Sequence, residues 1–186
     1  MNTYRCSTVL SSGERQKSKF FQQETNWLQI GIGLLVLIIG ALVYIVDRPP
    51  GQTYFVYESG LNISLYKTIP NLFGTIGNVL PEFSHVFAFI LITSGILSAG
   101  KTGYMVMTFF WFLTDTLFEF GQKFDSAAAD LIPVWFESIP FLENTSVYFK
   151  NGTFDWLDLA AIGAGSVCAY FVLIKTMKGN RFHDAI

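Results

Sequence analysis

The segment from Trp27 to Val46 constrains the fold most, because 20 consecutive positions carry no charged residue. As an α-helix it would be about 30 Å long, which matches the hydrocarbon core of a bilayer. The composition points the same way. Of the 186 residues, 51% are hydrophobic and only 14% are charged, whereas about a quarter of the residues in soluble domains are charged. The segment is therefore predicted to be a transmembrane helix.

Three further apolar segments are long enough for spans and cover residues 83–100, 103–122 and 155–176. An apolar stretch of this length is typical of a membrane-crossing helix. With the first segment they predict an all-α fold, an integral membrane bundle of four transmembrane helices within residues 27–176. A polar N-terminal tail, residues 1–26, and a short C-terminal tail, residues 177–186, flank this domain.

The basic residues set the predicted orientation, because cytoplasmic loops of membrane proteins are enriched in Lys and Arg. In a four-span chain, eight of the 12 lie on the side of both termini, which predicts that both termini are cytoplasmic. These eight are Arg5, Arg15, Lys17, Lys19, Lys101, Lys175, Lys178 and Arg181. Three Asn-x-Ser/Thr sequons, the acceptor sites of N-glycosylation, then fall on the outer side at Asn62, Asn144 and Asn151.

The predicted outer loops, residues 47–82 and 123–154, are unusually apolar. The second contains Trp135 with several Leu, Ile and Phe residues, and Pro133 and Pro140 interrupt it. It is too apolar for a free linker and too short and Pro-broken to cross a membrane. Both loops are therefore predicted to lie at the membrane interface or to pack on other membrane-protein subunits. No basic cluster interleaved with aromatic residues indicates nucleic acid as a partner.

Polar side chains form a stripe on the third predicted span. Thr108, Asp115, Glu119 and Gln122 are spaced so that they fall within roughly 60° of one another around a helix. A charged side chain at the bilayer centre costs roughly 2.5–3.5 kcal/mol. Carboxylates in a span therefore mark either a functional site or a packed polar partner.

The predicted topology brings other polar residues to the same membrane boundary. His85 opens the second span from the outer side, and Asp155 and Asp158 open the fourth. We name the predicted group the outer polar cluster; its members are His85, Asp115, Glu119, Gln122 and Asp158. Such a cluster could bind a divalent cation through oxygen ligands, bind a lipid head group, or relay protons.

Each of these residues also has a structural interpretation. Asp155 is a natural N-cap, and Asp158 three residues later resembles a capping box. Glu119 and Gln122 at the end of a span can extend to the interface, and a histidine near a helix end is more often hydrogen-bonded than a ligand. For Asp115, the deepest member, a hydrogen bond to a neighbouring helix is as good an explanation as chemistry.

Small residues line one face of the fourth predicted span. Ala161, Gly165 and Ala169 follow one another at four-residue steps, and small residues at this spacing let membrane helices approach closely. This face would turn Asp158 into the bundle, towards the polar stripe of the third span. The alternative is that the small residues serve helix packing alone.

Three motifs carry a family resemblance, and they occur in the family's order. They are Pro81-Glu-Phe-Ser-His85-Val-Phe-Ala-Phe89, then Glu119-Phe-Gly-Gln122, then Phe154-Asp155-Trp156-Leu-Asp158 followed by Gly165. Over about Pro81 to Val172 the chain resembles the VanZ-like family of small multi-pass membrane proteins. The resemblance implies a bacterial cytoplasmic membrane protein of the cell envelope, in a family associated with glycopeptide (teicoplanin) resistance. The family's polar positions then correspond to His85, Glu119, Gln122 and Asp158.

The chain also departs from the family pattern. The family has an Arg shortly before its late Asp, where Asn151-Gly152-Thr153 stands here, and an Asn four residues after that Asp, where this chain has Ile162. The connection from Gln122 to Asp155 is also longer than the family's. These departures favour a structural role for the polar cluster over retained family activity.

The sequence therefore supports three functional hypotheses. The first is a non-catalytic accessory subunit of a larger membrane complex, built on a VanZ-like bundle and contacting its partners through residues 47–82 and 123–154. The alternative is a stand-alone envelope protein that handles a lipid or ion at the outer polar cluster. The third is a membrane enzyme that uses Asp115, Glu119 and His85 as acid, base and ligand. No cofactor beyond a bound lipid is expected.

Overall fold

The computed structural model describes residues 25–49, 63–98, 100–139, 142–143 and 145–177, the side chain of Asn151 excepted. Most of both predicted tails, residues 1–24 and 178–186, lies outside the described residues. Two of the three sequon asparagines, Asn62 and Asn144, also lie outside them.

The described residues are all-helical, which confirms the predicted fold class at that level. They form six α-helices, with no strand in the described part of the chain. These are α1 Trp27–Val46, α2 Leu80–Ile96, α3 Lys101–Lys123, α4 Asp125–Asp130, α5 Thr145–Asn151 and α6 Trp156–Lys175. Short 3-10 helices cover Gly74–Asn78 and Val134–Ser138.

The second helix differs most from its predicted bounds of 83–100. It begins earlier, at Leu80, because Pro81 occupies the first turn, where a missing backbone N–H costs nothing. It ends earlier, at Ile96, because Ser98 adopts a left-handed conformation with φ 47°, a common way to terminate a helix. Leu97, Ser98 and Gly100 therefore lie in the connection to α3.

Two of the described helices, α1 and α6, are long and apolar enough to cross a membrane, and most of their residues are not buried. The third long helix, α3, has 23 residues, but Asp115 and Glu119 make it more polar. The apolar α2 has only 17 residues, about 26 Å of helix. Length and composition therefore support membrane association through α1 and α6.

Helix α2 is the centre of the bundle and packs against α1, α3 and α6. The α1 contact depends on Gly40, where an added Cβ would lie 2.7 Å from Ser84 Cβ. The α6 contact depends on Gly165, where it would lie 2.6 Å from Val86 Cγ1. The buried apolar core lies between these helices and comprises Val86, Phe87, Ile90, Leu91, Tyr104, Ile162, Ala169 and Leu173.

The small-residue face of α6 turns towards α2. Gly165 and Ala169 are buried, whereas Ala161 is half-buried. A Cβ at Gly165 would also lie 2.8 Å from the main-chain oxygen of Phe83, so the two helix backbones approach closely at this point. This contact sets how near the first turns of α2 and α6 come to each other, and the predicted polar residues lie on those turns.

Candidate functional site

The polar residues of α2 and α3 meet at the end of the bundle where α2 begins. Asp115 Oδ2 lies 3.2 Å from His85 Nδ1. The aspartate is buried and the histidine ring is exposed on one side, where it also contacts Phe89 edge-on. The pair therefore connects α2 to α3, and its histidine remains accessible from outside the bundle.

Glu119 is the most completely bonded member of the cluster. Its side chain is only 5% exposed. One carboxylate oxygen accepts a hydrogen bond from the backbone N–H of Asp155 at 2.8 Å, and the other accepts from Gln122 Nε2 at 3.0 Å. Hydrogen bonds to an ionised acceptor are among the stronger ones in proteins. Glu119 thus joins α3 to the start of α6.

Gln122 extends this network to the short helix α5. Its amide nitrogen also donates to the hydroxyl of Tyr148 at 2.8 Å. Gly152 allows the close approach, because a Cβ there would overlap the Gln122 side chain. Burial of the hydroxyl raises the pKa of Tyr148 above its usual value, and the nearby carboxylates of Glu82 and Glu119 raise it further. Gln122 and Tyr148 thus join α3 to α5, and the tyrosine ring remains partly exposed.

The two aspartates at the start of α6 have different surroundings. Asp155 is the N-cap residue, and its side chain accepts from the backbone N–H of Leu157 at 2.9 Å, as expected for this position. Asp158 is half-buried and lies within the electrostatic reach of Asp155 and Arg48. Its carboxylate makes no hydrogen bond to any residue that the structure describes.

Two charged residues at this site were not predicted from the sequence. Glu82, in the first turn of α2, interacts electrostatically with Asp158, His85, Arg48 and Glu119. Arg48, just beyond α1, donates to a main-chain oxygen at 3.1 Å and lies 4.7 Å above a tyrosine ring of α1. The sequence contained a signal for Glu82: it precedes His85 by three residues, so helical spacing places both side chains on one face. Nothing local marks Arg48, which reaches the site through tertiary packing.

Acidic side chains outnumber basic ones at the site. Glu82, Asp115, Glu119, Asp155 and Asp158 lie near one arginine, Arg48, and one histidine, His85. Within the described ranges, no three His, Cys, Asp or Glu side chains are placed so that they could hold a metal ion. What the geometry provides is a set of hydrogen bonds that joins α2, α3, α5 and α6 at one end of the bundle.

Comparison of the chain with protein-family models, with curated proteins and with solved structures finds no match. The resemblance to the VanZ-like family thus depends on the residues quoted for it. Arg48, which follows the end of α1, lies close enough to Asp158 to interact with it electrostatically.

Proposed function

We propose that the protein is a non-catalytic, VanZ-like membrane protein that works as an accessory subunit of a larger membrane complex. The observation that carries this proposal is the bonding of Glu119. Both of its oxygens accept hydrogen bonds from donors within the chain, so this buried carboxylate is already used to join helices. On this account the outer polar cluster stabilises the bundle, and the protein contributes surface to an assembly.

A four-span topology is supported by where the helix ends meet. At one end, Arg48 after α1 interacts electrostatically with Glu82 at the start of α2 and Asp158 at the start of α6, and Glu119 near the end of α3 bonds to the start of α6. At the opposite end, Asn26 before α1 bonds to the main chain at Gly95 of α2 and Thr176 after α6. The helices α2 and α3 therefore extend between the same two levels as α1 and α6. On this proposal, all four helices cross the bilayer.

Aromatic residues at both levels support the same placement. Trp27 begins α1 and Trp156 begins α6, at opposite ends of the bundle, and both rings are largely exposed. Tryptophan is enriched at membrane interfaces, where its ring meets both lipid and water. Lys123 Nζ lies 5.0 Å from the ring centre of Phe154 and 5.3 Å from that of Trp156. A lysine cation therefore lies beside the tryptophan at the end of the bundle where α6 begins.

The segment after α3 provides the proposed contact with a partner. Leu131, Val134 and Trp135 lie outside the four long helices, and each is more than half exposed. Apolar side chains grouped on a surface mark protein–protein or membrane contacts. A partner subunit that packs over this segment would remove them from water, and the same segment would otherwise lie on the bilayer surface.

The proposal is tested by native mass determination after extraction in a mild detergent. Tagged wild type and the double variant Glu119→Gln/Asp158→Asn are compared, because both substitutions keep side-chain size and remove charge. We expect both to carry the same stoichiometric protein partner, at a mass well above the 20.9 kDa of the chain. A wild-type chain that runs alone would overturn the subunit proposal.

A second candidate is a stand-alone protein that binds a cationic or zwitterionic lipid head group at the outer polar cluster. It is favoured by Glu82 and Asp158, half-buried carboxylates that face Arg48 and His85 but accept no hydrogen bond in the described part of the chain. The same experiment distinguishes it. This candidate predicts a lone chain with retained lipid, and it predicts that the double variant loses that lipid while still inserting into the membrane.

A further inference from the structure

A second polar group lies at the opposite end of the bundle from the outer polar cluster. It contains no ionisable carboxylate or base, and it draws on all four long helices. We name it the Gln29 node, after its central residue. Its members are Asn26, Gln29, Ser94, Ser98, Tyr104 and Thr176.

Gln29 connects three helices from a fully buried position. Its side chain is 0% exposed. Its amide nitrogen donates to the Tyr104 hydroxyl at 3.0 Å and to Thr176 Oγ1 at 3.0 Å, so both of its protons are used. Asn26 donates to the main-chain oxygen of Thr176 at 3.0 Å. The start of α1 is thereby bonded to the start of α3 and the end of α6.

Three buried atoms of the node still need hydrogen-bond partners. Gln29 Oε1, Ser94 Oγ and Ser98 Oγ are shielded from solvent, and none of them makes a hydrogen bond to a described group. Leaving a buried polar group unpaired costs about 1–3 kcal/mol. Tyr104 adds a donor, because its oxygen accepts from Gln29 and no described residue accepts its proton.

These atoms lie on elements that pack together. Gly95 lies directly against Gln29, since a Cβ on it would be 3.2 Å from Gln29 Cβ. Ser94 lies in the last turn of α2, three residues after Leu91, which belongs to the same core cluster as Tyr104. Helical spacing puts residues three apart on one face, so Ser94 belongs to the face that carries Leu91. Ser98 lies just beyond the end of α2.

We propose that the Gln29 node is a binding site for ordered water. A water molecule can donate to Gln29 Oε1 and to a serine oxygen while it accepts from the Tyr104 hydroxyl, which matches the two to four partners that buried waters make. The bound water would complete an uncharged hydrogen-bond network that joins α1, α2, α3 and α6. This inference does not depend on the proposed function, because the node shares no residue with the outer polar cluster.

X-ray hydroxyl-radical footprinting of the full chain in detergent tests the proposal. X-rays generate radicals from every water, including buried ones, so a buried ring beside a bound water is oxidised. Tyr104 is 3% exposed, and Phe87 in the same core is 7% exposed. After correction for intrinsic ring reactivity, we expect Tyr104 to be oxidised several-fold faster than Phe87. Equal rates would overturn the proposal.

Two further comparisons test whether Tyr104 is oxidised because the bundle opens transiently rather than because a water is bound beside it. Radicals made only in bulk solvent, by peroxide photolysis, should label Tyr104 no faster than Phe87. Faster labelling of Tyr104 by these radicals would show that the ring is exposed to solvent rather than beside bound water, and it would overturn the proposal.

The variant Gln29→Met keeps the side-chain length and removes both polar groups. In this variant the X-ray rate at Tyr104 should fall to that of Phe87, and an unchanged rate would contradict the site. The wild-type comparisons decide the question even if the variant fails to fold.

Discussion

Replacing Glu119 by leucine is expected to lower the free energy of unfolding in detergent by about 2–4 kcal/mol, because two hydrogen bonds to its buried carboxylate are lost at once. The donors are the backbone N–H of Asp155 and the side-chain amide of Gln122. Leucine fills similar space but accepts no hydrogen bond. The start of α6 and the Gln122–Tyr148 contact should loosen together. Unfolding can be followed by the fluorescence of the four tryptophans.

Glu119→Gln is the matched control. Its amide oxygen can still accept from the backbone of Asp155, so we expect stability within about 1 kcal/mol of wild type, the typical net contribution of one hydrogen bond. A glutamine variant as unstable as the leucine variant would mean that the negative charge matters more than the hydrogen bonds. That result would favour a site for a cation or a lipid head group over a structural role.

Gly165→Ala is the second substitution with a large expected effect. The added methyl group would lie 2.6 Å from Val86 Cγ1 and 2.8 Å from the main-chain oxygen of Phe83. Both distances are well inside van der Waals contact, and one partner is backbone that cannot rotate away. Forcing an extra carbon into a packed interior typically costs about 1–3 kcal/mol. We expect a loss of this size in the same unfolding measurement, with α6 displaced from α2.

Gly163→Ala provides the control on the same helix, only two residues away. A Cβ at Gly163 meets nothing within 4 Å. Alanine is also the better helix former, by up to about 1 kcal/mol in soluble helices. The two alanine variants should therefore change stability in opposite directions. Equal losses would show that helix flexibility matters at both sites, and that α2 and α6 do not meet closely at Gly165.

The polar stripe shows what periodicity alone can predict. Spacing along one helix put Asp115, Glu119 and Gln122 on a common face before any fold was known, because 3.6 residues per turn fixes that relation. It could not identify their partners. Glu119 accepts from the backbone N–H of Asp155, 36 residues later in the chain, and a main-chain donor leaves no mark in a sequence pattern. The four long helices were thus predictable, whereas the short helices α4 and α5 were not, and the network between the helices required tertiary packing.

The Gln29 node was missed for a related reason. Gln29 lies in the run whose lack of charge predicted α1, and a single neutral amide barely lowers the hydropathy of 20 residues. Its partners, Tyr104 and Thr176, are 75 and 147 residues away. A polar side chain at a helix end can face water as readily as the interior. Only the packing of four helix ends shows that this one is buried.

The membrane topology is the premise of the whole account, and cysteine accessibility tests it most directly. With Cys6 and Cys168 replaced by serine, single cysteines are introduced as Thr102→Cys, at the exposed start of α3, or Thr153→Cys, at the exposed connection before α6. A membrane-impermeant maleimide is then applied to right-side-out and inverted vesicles.

Four spans predict that the two cysteines react from opposite sides of the membrane. The Thr102 position should react on the side of both termini, and the Thr153 position on the other side only. If α1 and α6 alone crossed the bilayer, everything between them would lie on one side. Reaction of both cysteines from the same side would therefore contradict the four-span bundle and the membrane setting of its polar cluster.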